Sequence, residues 1–251
     1  MGIDFSFLDF FDLCHRRNAL CDPVIALGSL AINEPEAVIR EFADKNPYWN
    51  STEGPSVRSL FRDRYRVTHY RDCDLNDEAD LKLDMNKPLN AEWVGSAMTV
   101  LNGGTMEHVF DVAQVIRNVH DMARPGGTII HLSPISWYEH GYYNFNPRLF
   151  TAVGRANHYS LVAEAFWFPG NVLSESQAED SQQRAATGHA HDIPHASATL
   201  RITFDGQDYT SWHEMISNLL AGKAIPADTL YLVAYRKAGQ REFVMPYDVC
   251  G

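Results

Sequence analysis

Cysteine is scarce in this 251-residue chain, basic charge is outweighed by acidic charge, and long apolar runs are missing. The four cysteines, Cys14, Cys21, Cys73 and Cys250, stand far apart without CxxC spacing. That excludes a zinc ribbon and a disulfide framework, and it fits a reducing, cytoplasmic compartment. Lys and Arg number 21 against 32 Asp and Glu, for a net charge of −11. Nucleic-acid binding rests on neutralising phosphates with basic side chains, so no nucleic-acid partner is expected. A spanning helix needs about 20 consecutive apolar residues, and the sequence offers none. The opening stretch is apolar but carries Asp4, Asp9 and Asp12 and no basic cluster, so it does not read as a secretory leader. There is no internal repeat and no sustained heptad.

What is present suits one large core. Hydrophobic residues make up 45% of the chain and aromatics 12%, enough for a single domain over residues 1–251. Residues 4–17 predict a helix in which Phe5, Leu8 and Phe11, with Phe7, Phe10 and Leu13 one turn around, cover more than one face. Such a helix packs on a sheet, pairs in a homodimer, or covers a ligand as a lid. Residues 23–28 read as a buried strand, and Asn33 to Glu36 as the cap of a following helix. A short helix is expected over 56–63. Residues 65–70, 79–85, 93–101 and 128–133 have strand composition, the last two separated by a periodic helix over 107–122 that Pro125-Gly126-Gly127 closes. Further strands are expected over 157–168, 199–204 and 230–236. Strands alternating with helices imply an α/β fold with a mostly parallel sheet. Residues 171–198 form a polar excursion. Its His189, His191 and His195 have spacing that could hold a metal, but a solvated histidine-rich loop is the simpler reading and no metal is expected.

The block Val100 to Asp111, followed by Ala123 to Thr128, resembles the class I S-adenosylmethionine-dependent methyltransferases, in which a fourth strand leads into an acidic-His-Val segment and a PGG turn precedes the fifth strand. Ala79 to Leu89 is similar to the family's third strand, and Thr229 to Lys237 to its antiparallel last strand. The resemblance implies a Rossmann-like methyltransferase fold with S-adenosylmethionine as cofactor. Its binding residues would be Gly28, Ser29, Asp72, Asp84, Met85, Asn102, Gly103 and Gly104, with Asp74 the alternative to Asp72 for the ribose. Ligands in open α/β sheets sit at the carboxyl ends of strands near the switch in strand order. A carboxylate there accepts hydroxyl or amino protons, and glycine admits a close approach. Glu107 and His108 read as capping and orienting the helix.

The first strand departs from the family pattern: Ala26 replaces the acid, and Leu30 and Ile32 stand where the second and third glycines of a GxGxG turn belong. After the fifth strand, Ser133 to Pro147 resembles the acceptor-site segment of polysaccharide-type relatives. His140 is the candidate general base, because an imidazole exchanges protons near neutrality. Tyr142 is placed beside it in the catalytic group, with Tyr143 and Asn144 as walls. The leading function is therefore methyl transfer, at oxygen, to a small-molecule or glycan-linked acceptor. The alternatives are a non-catalytic methyltransferase-like binding or scaffold protein, and an enzyme using the same fold for different chemistry.

Overall fold

The computed structural model describes residues 2–46, 49, 55–137, 139–167, 229–239 and 242–247, and the backbone of three further strands between 195 and 209. In chain order the strands are β1 (Gly2–Ile3), β2 (Val24–Leu27), β3 (Ala31–Ile32), β4 (Tyr70–Asp74), β5 (Leu81–Lys82), β6 (Ala97–Gly103), β7 (Ala123–Pro134), β8 (Tyr159–Trp167), β9 (His195–Thr199), β10 (Ile202–Phe204), β11 (Gln207–Tyr209) and β12 (Leu230–Lys237). The helices are α1 (Leu8–Arg16), α2 (Glu36–Lys45), α3 (Val57–Tyr65), α4 (Val112–Met122) and α5 (Pro147–Ala156). Eight strands form one sheet in the order β5-β4-β2-β6-β7-β12-β8-β9. All its pairings are parallel except those of β12, which runs antiparallel to both β7 and β8. This is a Rossmann-like α/β fold, with the last strand inserted against the others. Strand order reverses between β2 and β6, and the switch point lies at their carboxyl ends.

Alternation along the strands sends side chains to two cores, one on each face of the sheet. On one face Val24, Ala26, Leu101, Ile130, Leu132 and Leu232 meet α1 and α3. The apolar surface of α1 exceeds one stripe because the helix is wedged: Phe10 and Phe11 are fully buried, and Phe11 meets Phe61 of α3 edge to face at 5.3 Å. Arg64 on α3 grips Asp12 on α1 with two hydrogen bonds, 2.7 and 2.5 Å, which fixes the helices side by side. Of the readings open for residues 4–17, sheet packing is the one observed. On the opposite face Ile25, Leu27, Val100, Ile129, Tyr231 and Val233 pack with Val115, Val119 and Met122 of α4 and Phe150 and Val153 of α5.

Several boundaries differ from expectation. Tyr65 to Tyr70 is not a strand: Tyr65 is the last residue of α3, Arg66 turns the chain in the left-handed conformation, and β4 begins only at Tyr70. The aromatic residue there serves helix packing, since the Tyr65 ring lies against Phe61 of its own helix at 5.4 Å and near Phe11 of α1 at 6.4 Å. The strand over 79–85 contracts to Leu81–Lys82, and α2 is capped at Pro35 rather than Asn33. Helix α4 starts at Val112, with the Asp111 carboxylate accepting from the Gln114 amide at 3.0 Å. Residues 106–108 form a separate 3-10 turn, so Glu107 does not cap α4. The polar excursion lies outside the described residues except where its end enters β9. No described helix is long and apolar enough to cross a membrane.

Candidate functional site

The switch point collects the loops after β2, β4, β5, β6 and β7. Asn102, last but one in β6, is fully buried and is used internally. Its carboxamide oxygen accepts from the Thr105 and Met106 amides at 3.1 and 3.0 Å, and its amide nitrogen lies 3.2 Å from the Ser133 hydroxyl. This side chain closes the 3-10 turn rather than facing a ligand. Gly104 makes the turn possible with φ +86°, a conformation that costs a residue with a Cβ. The consequence is positional: the turn drives Glu107 inward.

The Glu107 side chain is only 1% exposed, and neither of its oxygens has a hydrogen-bond partner among the described residues. Burial without compensation favours the neutral acid and pushes the pKa up to about 7. Above it lies the loop between β7 and α5. The Tyr142 amide donates to the Glu107 carbonyl at 2.8 Å. Gly141 permits this approach, because a Cβ there would lie 2.9 Å from that carbonyl oxygen. Glu139, with φ +54°, turns the chain so that His140 points down, its Nε2 3.4 Å from Glu107 Oε1. That is ion-pair distance without hydrogen-bond geometry. The Trp137 ring stacks on the imidazole at 4.1 Å and 17°, fixing its plane. His108 meets His140 edge to face at 4.9 Å, and its proton affinity is lowered by burial and by the neighbouring imidazole. Glu107, His108 and His140 thus offer donor atoms within 4.8 Å of one another.

The remaining expected site residues fall into two groups. Tyr142 is 70% exposed and faces Phe110, itself 75% exposed, so the two form an aromatic rim beside the cluster. Tyr143 donates to the Phe110 carbonyl at 2.8 Å, and Asn144 clamps the loop by bonding both the amide and the carbonyl of Trp137. Asn144 is therefore a loop clasp rather than a wall. Asp72 pairs with Ala26 in the middle of the sheet, and its carboxylate accepts from the Asp80 amide at 2.9 Å. Asp74 is the carboxylate at the strand end, accepting from the Ser29 amide at 3.1 Å. Asp84 closes a turn with Asn86 and Lys87, whose hydrogen bonds hold its pKa below the usual carboxylate range. Met85 is buried, and its carbonyl accepts from Asn118 of α4 at 3.2 Å. Asn118 also bonds Lys87 and Leu89, so α4 holds the whole segment that carries Asp84.

The fit of an adenosine-bearing cofactor divides along its length. Two carboxylates at strand ends, Asp74 and Asp84, suit hydroxyl and amino donors. At the amino-acid end, Gly28 has φ +77°, yet a Cβ there would stand 2.5 Å from the Thr105 hydroxyl, so the chain itself fills that approach. Leu30 lies over Gly103, its Cδ1 2.9 Å from where a Cβ would be. The tip of a leucine rotates readily. The carboxylates at the adenosine end suit such a group, whereas the amino-acid end is occupied by Thr105 and by the rotatable tip of Leu30.

No protein-family profile and no curated protein matches the sequence. Among solved structures, a SAM-dependent methyltransferase from Archaeoglobus fulgidus is 11% identical, with 92% of this chain and 94% of that one covered and a TM-score of 0.45. A complex from Haloferax volcanii that contains the Trm112 methyltransferase activator gives 12% identity, 94% coverage of each chain and a TM-score of 0.41. An S-adenosylmethionine-dependent methyltransferase from Mesorhizobium loti gives 12% identity, 85% and 90% coverage and a TM-score of 0.34. These likenesses are loose, and the α/β assignment stands on the sheet order and strand directions themselves.

Proposed function

We propose that the chain is an S-adenosylmethionine-dependent O-methyltransferase acting on a hydroxyl of a small-molecule or glycan-linked acceptor. The observation that carries this reading is the buried Glu107 carboxyl beneath the Trp137-stacked His140 imidazole, at the carboxyl ends of β6 and β7. Perturbed acid–base groups at a strand-order switch mark a reactive site. Gly28, Ser29, Asp84, Met85, Gly103 and Gly104 would hold the cofactor, with Asp74 taking the ribose role first considered for Asp72. When bound, the cofactor supplies a methyl group made electrophilic by a sulfonium sulfur. The chain's own residues do the rest. Phe110 and Tyr142 offer their rings to the flat face of an aromatic or sugar acceptor. His140 takes the hydroxyl proton at the ring nitrogen turned away from Glu107, and Glu107 lies where its carboxylate offsets the imidazolium charge. Alignment of acceptor and donor supplies much of the remaining acceleration.

A second reading, a non-catalytic methyltransferase-like binding protein, is favoured by one observation: Leu30 covers Gly103. Calorimetry with S-adenosylmethionine and S-adenosylhomocysteine separates the two. Under the enzymatic reading both bind, and His140→Ala keeps that affinity while single-turnover transfer falls by about 10²–10⁴-fold. If neither compound binds the native protein, the binding-protein reading replaces the first.

A further inference from the structure

We propose that Glu107, His108 and His140 form a binding site for one divalent transition-metal ion. The three donor atoms come from two loops and already stand within 4.8 Å of one another. Around an ion bonded at about 2.1 Å, tetrahedral donors stand about 3.4 Å apart, so a modest turn of the His108 ring completes the set. His108 is exposed, which gives that ring freedom to move and the ion a route in.

Burial supplies a second, independent observation. Glu107 is 1% exposed, and both of its oxygens lack a hydrogen-bond partner among the described residues. A buried carboxyl left in that state costs stability, and the ordinary compensations are a hydrogen bond, a cation or a metal. The immediate surroundings hold Glu107 and the His140 imidazole in place for the third of these. Asn102 sets the turn, the Tyr142 amide anchors the Glu107 carbonyl, and Trp137 fixes the His140 plane. Support of this kind around the ligands is what metal sites require.

The chemistry of the donors selects the ion. Two imidazoles and one carboxylate suit zinc, cobalt, manganese or iron, whereas magnesium and calcium favour oxygen donors throughout. Three protein ligands leave at least one position open, as in catalytic rather than structural sites. The rim formed by Phe110 and Tyr142 lies alongside, so an acceptor oxygen could take the open position. That role rests on the methyltransferase reading; ion binding itself does not. With the ion in place His140 would serve as a ligand instead of a base, and the acceptor hydroxyl, made more acidic by the ion, would give its proton to solvent water.

The test is titration of chelator-treated, full-length protein with Co²⁺, followed by visible absorption and calorimetry, in the absence of cofactor and acceptor. The expected result is one ion per chain, with d–d bands that change when azide is added to the open position. His108→Ala and Glu107→Gln should each weaken binding by about tenfold or more, and His108→Ala, altering an exposed ring, should fold normally. A triple His189→Ala, His191→Ala, His195→Ala variant should bind as the native protein does. Absence of binding to the native protein overturns the proposal, as does affinity that survives His108→Ala but disappears in the triple variant. Ion binding without S-adenosylhomocysteine affinity would remove the methyltransferase reading and leave the metal site standing. The converse result would remove the site alone.

Discussion

Glu107 holds a carboxyl in surroundings that oppose its charge. Unfolded, it titrates near 4.5; folded, it keeps its proton to about 7. Between those values the folded state binds more protons, so stability falls as pH rises through the window and levels off above about 7. The slope is at most about 1.4 kcal/mol per pH unit. In chelator, Glu107→Gln should remove this slope and melt above the native protein at pH 8, with little difference at pH 4.5. Parallel melting profiles from pH 4.5 to 8 would show that the carboxyl is not as isolated as its surroundings indicate. Leu30 poses a complementary question at the cofactor end. Because its side chain lies on Gly103, Leu30→Ala should bind S-adenosylhomocysteine more tightly than the native protein. Equal affinity, measured calorimetrically, would mean that the leucine does not compete with the ligand.

Short elements set the geometry that these residues use. The 3-10 turn of Met106–His108 exists because Asn102 satisfies two of its amides, and the β7–α5 loop descends onto it because Gly141 has no Cβ to strike the Glu107 carbonyl. Gly141→Ala should therefore lift the loop and separate His140 from Glu107. We expect loss of Co²⁺ binding and of turnover, with a drop in stability of about 1–3 kcal/mol from overpacking. Unchanged Co²⁺ affinity in this variant would mean that the loop reaches the turn by another route. Helix α4 is a control of a different kind. Its Asp111 cap accepts from the Gln114 amide, so Asp111→Ala should cost about 1 kcal/mol of unfolding free energy and leave cobalt affinity intact.

Across the whole molecule, two cores clamp one sheet, and a few polar groups are sealed between them. His131 on β7 lies against Phe150 at 4.9 Å and is 6% exposed. Burial depresses its pKa to about 3. An unfolded histidine protonates near 6.5, so between about 6.5 and 3 the unfolded state binds the extra proton and stability falls as pH falls. The effect is about 1.4 kcal/mol per pH unit, opposite in sign to that of Glu107. Denaturant midpoints at pH 7.5, 5.5 and 4.5 should decline for the native protein. They should decline less steeply for His131→Asn, whatever that variant loses at pH 7.5; equal slopes would exclude His131 as the acid-labile group. Lys237 is buried at the far end of β12 and donates to the His120 and Ala123 carbonyls at 2.7 and 3.0 Å, tying the last strand to the end of α4 and the start of β7.

The alternation of strands with helices and the later turns of α4 were legible in the sequence, because each depends on local periodicity; the antiparallel direction of the last strand was implied by the family resemblance alone, and Pro125-Gly126-Gly127 lies inside β7 instead of closing the helix, which ends at Met122. The exceptions have the same physical origin. Tyr65 to Tyr70 has strand composition, yet its first ring ends α3 and lies near Phe11 of α1, centroids 6.4 Å apart, a contact made only when α1 and α3 meet. In the candidate site, the sequence singled out His140 and the segments around Asp84 and Asn102 as candidates. Tertiary structure decided which atoms face outward. Asn102 turned inward to close a turn, Asp74 rather than Asp72 came to the strand end, and Glu107 was buried with both oxygens unpartnered. Nothing local marks Glu107 as different from an ordinary helix-start acid. Its character arises from the loop carrying Gly141 and His140, thirty-three residues away for His140, which excludes water from the carboxyl without supplying it a hydrogen bond.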